Sequence, residues 1–222
     1  MPGTRNSGLL ALGGIALAAV LAVLGHLEVS DDLNPWSLTV SDFAVSDRGG
    51  VIDTAMAVLA AATVVLLPAL RRAGAGRLAG TLLVAWSAGL LAAAVVPTNE
   101  PGLPMDTAAY LHRYVSVVAF LALPVAGWLL ARPLGGRAAG WLRGLALTSL
   151  LLAAAMVWSA YPGDRLLIGL AERVLILAEV ALLAVVAATL AGRRAGGVAM
   201  PRGWEHRQLA EMAREVTPAR GA

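Results

Sequence analysis

The sequence predicts an all-α fold, a polytopic membrane bundle of six transmembrane helices with both termini in the cytoplasm. Three observations predict it. Of the 222 residues, 59% are hydrophobic and only 14% charged, against roughly 25% charged in an ordinary soluble domain. Apolar runs of about 18 residues or more, long enough to cross a bilayer as a helix, recur along the chain. The arginines gather beside alternate ends of those runs, as the positive-inside rule requires.

The six spans are expected at about 8–27, 51–70, 78–96, 112–131, 142–160 and 166–191. The first is too long for the apolar core of a signal peptide and has no small-residue cleavage pattern after it, so it is read as a helix. Arg5, Arg71, Arg72, Arg77, Arg132, Arg137, Arg143, Arg193 and Arg194 fall on one side. Arg48, Arg113 and Arg165 fall on the other, with Asp31, Asp32, Asp42, Asp47, Glu100, Asp106 and Asp164. The arginine-rich side is therefore cytoplasmic. Its connections, RRAGAGR and RPLGGRAAG, are short and join antiparallel neighbours. The first outer connection, EVSDDLNPWSLTVSDFAVSDRGG, is long and carries Trp36, Leu38, Val40 and Phe43, which suits either a segment folded as a lid over the outward mouth or a packed surface loop. The second, PTNEPGLPMDTAAYLH, is restricted by three prolines. Residues 1–192 are read as the membrane domain and 193–222 as a basic cytoplasmic tail. In that tail WEHRQLAEMAREV has the spacing of a short amphipathic helix.

Composition also excludes chemistry. There are no cysteines, which removes disulfides, thiolate metal sites and cysteine nucleophiles. Every basic side chain among the 17 is arginine, so no lysine forms a Schiff base or serves a P-loop. The net charge of +3 reflects topology and anionic lipid rather than nucleic acid. The Arg, Ala, Gly and Leu bias fits a GC-rich bacterial genome, and with it the bacterial inner membrane. No cofactor is expected. A metal site built from His26, His112 and Asp53 has no ligand spacing behind it, so none is expected either.

The informative residues are polar groups at bilayer depth. A charge there costs about 2.5–3.5 kcal/mol on insertion scales and faces the bundle interior. Arg165, Glu172 and Glu179 are seven apart, hence one helical stripe descending from the outer mouth past mid-membrane. Arg173 lies about 100° around the helix from Glu172 and is expected to reach a neighbouring helix, with Asp53 a candidate partner. Glu179 has no charge partner nearby in sequence. A carboxyl group secluded from water favours its neutral form, which can donate a proton. Candidate catalytic groups are thus Glu179, Glu172 and Asp53. Candidate substrate-binding groups are Arg173, His112, Ser116 one turn beyond it, Trp86, Phe120 and Asn99.

LNPWSLTVSDFAV after span one, VVPTNEPG followed by LHRYVSVVAFLALP, and GLAERVLIL opening the last span together resemble the DUF998 family of six-helix bacterial membrane proteins. The resemblance covers about residues 8–190 and implies fold and topology but no reaction. Where that family tends to show Pro-Thr-Asp, this chain has Pro97, Thr98 and Asn99, and Glu172 stands where a glutamine is usual. Asp53 and Glu179 also depart from the pattern, which adds acid to the bundle. The arrangement further resembles small integral-membrane terpene cyclases, which place acidic residues within a compact helical bundle. That resemblance implies an isoprenoid or other lipophilic substrate, protonated by a buried carboxylic acid and flanked by Trp86 and Phe120. No DDxxD motif for ionising a diphosphate is present. The alternatives are a non-catalytic membrane subunit or lipid-binding module, a small proton-coupled carrier, and a hydrolase using Ser116 and His112.

Overall fold

The computed structural model describes residues 2–28, 33–46, 50–100 and 103–193. Six long apolar helices form among them: α1 (Pro2–Glu28), α3 (Val51–Arg72), α4 (Arg77–Val95), α5 (Thr107–Leu134), α6 (Gly136–Ala160) and α7 (Ile168–Gly192). A seven-residue helix, α2 (Val40–Ser46), lies in the first outer connection. The shortest of the six, α4 with 19 residues, spans roughly 28 Å at 1.5 Å per residue, close to the ~30 Å hydrocarbon core of a bilayer. The long helices overrun the apolar segments read from sequence. Helix α6 begins at Gly136 rather than near 142, and α5 at Thr107 rather than near 112. Hydropathy marks where the bilayer begins, and the backbone keeps its hydrogen-bond ladder past that point, in α6 through a turn that carries Arg137.

The helices pack in the cyclic order α1, α3, α4, α5, α6, α7 and back to α1, a closed up-and-down ring. Helix α7 also touches α3 and α5 across the ring, so it is the most central element. Its buried face repeats at helical spacing: Ile168, Glu172, Leu175, Glu179, Leu182, Val186 and Leu190. Ring closure depends on a close approach at Gly8 of α1, where a Cβ would stand 2.6 Å from the Ala187 carbonyl oxygen of α7. Leu123, Leu130, Leu142, Leu182 and Leu190 fill the interior, while Leu10, Leu17, Leu151 and Leu177 are exposed, as a lipid-facing surface should be.

Arg5, Arg71, Arg72, Arg77, Arg132, Arg137, Arg143 and Arg193 collect at one end of the ring, and the positive-inside rule makes that end cytoplasmic. The chain is thus a multi-pass membrane protein. Asp31, Asp32, Asp47, Arg48, Arg194 and the amphipathic pattern in the tail lie outside the described residues.

Candidate functional site

Residues 33–46 fold back onto the outer end of the ring as a cap. Asn34 opens it: its side-chain oxygen accepts from the Trp36 amide at 2.9 Å, and its carbonyl accepts from Leu38 at 3.1 Å. Thr39 and Asp42 then form a reciprocal capping box that starts α2, the Asp42 carboxylate taking the Thr39 amide at 2.8 Å and the Thr39 hydroxyl the Asp42 amide at 3.2 Å. Phe43 packs with Ile52 of α3 in a small apolar cluster that includes Leu38, Val40 and Met56.

Helix α7 holds this cap from below. The Glu172 carboxylate, buried in the ring, accepts a hydrogen bond from the Val40 amide at the first turn of α2. One guanidinium nitrogen of Arg173 donates to the carbonyls of Pro35 and Leu38, both at 2.8 Å, and to Gly169 at 3.0 Å. The same guanidinium lies 4.7 Å over the Phe43 ring, and Phe43 stacks on His26 at 5.1 Å. His26 directs Nδ1 to the Ala22 carbonyl at 2.7 Å and Nε2 to Arg173 at 3.4 Å. A carbonyl only accepts and a guanidinium only donates, so Nδ1 carries the proton and Nε2 accepts. Arg173 therefore reaches cap carbonyls, His26 and Phe43, and the pairing with Asp53 expected from sequence is not the arrangement it adopts. Asp53 sits half-buried in the first turn of α3, where a carboxylate complements the helix dipole.

Arg165 departs from the predicted stripe. Helix α7 starts at Ile168, and Arg165 stands before it in a turn where Asp164, Arg165 and Leu167 all have positive φ. That turn presents its guanidinium to Asp42 at 3.1 Å, a half-exposed ion pair that ties the turn to the cap. His112 is also a cap contact. Its Nδ1 donates to the Val96 carbonyl at 2.7 Å, which leaves Nε2 facing the Ser41 hydroxyl at 2.9 Å. The hydroxyl beside His112 is thus Ser41, not Ser116, which is half-buried on α5. Asn99 lies in the second outer loop and donates to the carbonyls of Glu100 and Leu103.

Glu179 stands apart from all of this. It is 3% exposed. Its Oε2 accepts from the indole N–H of Trp86, which reaches across the ring from α4, at 3.3 Å. Its Oε1 is buried and has no hydrogen-bond partner among the described residues, a condition shared by the Ser149 hydroxyl. Glu179 is eleven residues from the outer end of α7 (168 to 179), and Ser149 eleven from the outer end of α6 (149 to 160), so these two polar groups lie at one depth on adjacent helices. Phe120 is half-buried on α5.

The nine candidates thus divide. Glu172, Arg173 and His112 meet the cap; Glu179 and Trp86 meet each other at mid-membrane; Asp53 stands in the first turn of α3; and Asn99, Ser116 and Phe120 lie on the second outer loop and α5. Sequence reasoning missed Ser41 as the partner of His112, Ser149 as a buried hydroxyl at the depth of Glu179, and His26 as the acceptor for Arg173. For the cap a signal existed, since Thr39-Val40-Ser41-Asp42 has the spacing of a capping box. No cluster of three or more metal-ligating side chains occurs among the described residues.

No curated protein and no solved structure matches the sequence. Across residues 11–189, nearly the whole ring with its cap and both acidic positions, the sequence matches the family described as "Protein of unknown function (DUF998)", and the chain belongs to that family.

Proposed function

We propose that this protein is an enzyme of the bacterial inner membrane that works within the bilayer on an isoprenoid or other lipid, with Glu179 as proton donor. The observation that carries the reading is the Glu179 carboxyl itself: central, buried, bonded to Trp86 through one oxygen and unpartnered at the other. An ionised carboxylate with no cationic partner is strongly disfavoured at this depth, so the reaction begins from the neutral acid. Its O–H bond breaks as a C–H bond forms on a substrate alkene, leaving a tertiary carbocation and the Glu179 carboxylate. A second alkene of the same chain attacks the cation to close a ring, and loss of a proton from carbon restores the acid. The Trp86 indole orients the carboxyl and offers its π-face to the cation. The outer cap keeps bulk water from quenching it.

Membranes containing the full-length chain, incubated with farnesylated and geranylgeranylated acceptors, should yield products of unchanged mass and altered chromatographic retention. Glu179→Gln should abolish them while the protein still inserts and binds substrate. Full turnover by Glu179→Gln would refute the assignment. A second reading, a non-catalytic lipid-binding subunit, is favoured by the cytoplasmic groove described next. It predicts that no product forms and that Glu179→Gln is silent.

A further inference from the structure

We infer that the cytoplasmic ends of α3 and α4 hold one anionic phospholipid, its phosphate between Arg71 and Arg77 and an acyl chain in the groove leading to Leu130. A cavity of about 560 Å³ lies there, within the range of roughly 300–1,000 Å³ typical of ligand sites. Two guanidinium groups line it, Arg71 from the last turn of α3 and Arg77 from the first residue of α4. Neither makes a hydrogen bond or ion pair among the described residues, and no carboxylate lines the cavity. The adjacent Arg72 turns away toward α1, its Nη1 only 3.0 Å from where a Cβ on Gly3 would stand. The cavity therefore has two uncompensated positive charges at its rim.

The walls beneath are apolar: Leu67 and Leu70 of α3, Val84 of α4 and, at the back, Leu130 of α5, which is fully buried. Val84 is seven residues beyond Arg77, roughly 10 Å deeper at 1.5 Å per residue. Charge at headgroup level with an apolar slot below it is the profile of a phospholipid in the cytoplasmic leaflet. A free anion would satisfy the arginines and leave the slot wet. The guanidinium fork matches phosphate oxygens, and the Thr81 hydroxyl supplies a further donor. This site is at the opposite end of the ring from the cap and does not depend on any reaction at Glu179.

The test uses the full-length protein in mild detergent, titrated with phosphatidylglycerol or with phosphatidylcholine of the same acyl chains, and read by native mass spectrometry. Wild type should retain about one phosphatidylglycerol per chain and hold phosphatidylcholine far more weakly. Arg71→Gln with Arg77→Gln should lower phosphatidylglycerol affinity on the order of tenfold or more, while Arg72→Gln should not. Gly80→Leu should weaken binding with every charge intact, because Gly80 lines the cavity and a Cβ there meets no atom within 4 Å. Thermal unfolding of each variant reports folding separately. Equal retention of the two lipids, displacement by inorganic phosphate, an equal loss in Arg72→Gln, or wild-type binding by both the double variant and Gly80→Leu would overturn the inference.

Discussion

Arg173 and Glu179 share a helix and differ in every other respect. The arginine makes its bonds to two carbonyls of the cap, one carbonyl of its own helix and one imidazole, and rests on Phe43. Arg173→Gln should therefore destabilise the folded protein by about 1–3 kcal/mol, since it removes the donors to partly buried cap carbonyls and the cation from the Phe43 face. Arg173→Lys should recover only part of that, because a single ammonium cannot donate to the cap carbonyls and His26 and also lie flat over Phe43. Chemical unfolding in detergent measures both; a stability unchanged in Arg173→Gln would show that the cap does not rely on this side chain. The helical period did place Glu172 and Glu179 on the inner face. It did not reveal their partners, because Val40 is 132 residues from Glu172 and Trp86 is 93 from Glu179. Separations of that size are decided by packing, not by local pattern.

At the scale of elements, the cap and the opening of α7 act as one unit. Gly169 is its tightest point: its amide donates to the Trp36 carbonyl at 3.0 Å, and a Cβ would collide with the carbonyl oxygens of Pro35 and Leu38. Gly169→Ala should push the cap outward at a cost of about 1–3 kcal/mol, as overpacking does. The native chain has no cysteine, so Ala44→Cys gives a clean reporter on α2. Its reaction with a membrane-impermeant maleimide should speed up about tenfold when Gly169→Ala is added, and an unchanged rate would mean the cap is not seated there. The length of the outer connection and its apolar residues allowed either a segment folded over the mouth or a packed surface loop, and the structure has the former. The capping box would have forecast α2 itself. What sequence could not supply was the turn before α7, where three non-glycine residues with positive φ carry Arg165 off the predicted stripe and toward Asp42. Such conformations are held by surrounding structure rather than by residue preference.

At the scale of the molecule, the six spans and the gathering of most arginines at one end were legible because lipid imposes them: each helix must cross about 30 Å of hydrocarbon, and arginine concentrates at one face. The cyclic order of the ring and the central position of α7 were not, since all six helices are apolar around much of their circumference and hydropathy does not distinguish a lipid-facing leucine from a buried one. Of the nine candidate residues named from sequence, Glu172, Arg173 and His112 fasten the cap, while Glu179 and Trp86 meet at mid-membrane. Along α7, then, Glu172 and Arg173 fasten the cap while Glu179 does not, and hydrogen exchange of the protein in lipid nanodiscs distinguishes the two roles. Glu172→Ala should raise exchange of the backbone amides in residues 38–46 by about tenfold or more, in line with losing the hydrogen bond to Val40, whereas Glu179→Gln should leave them within about twofold of wild type. An equal response to the two substitutions, or a cap indifferent to Glu172→Ala, would contradict this division of roles.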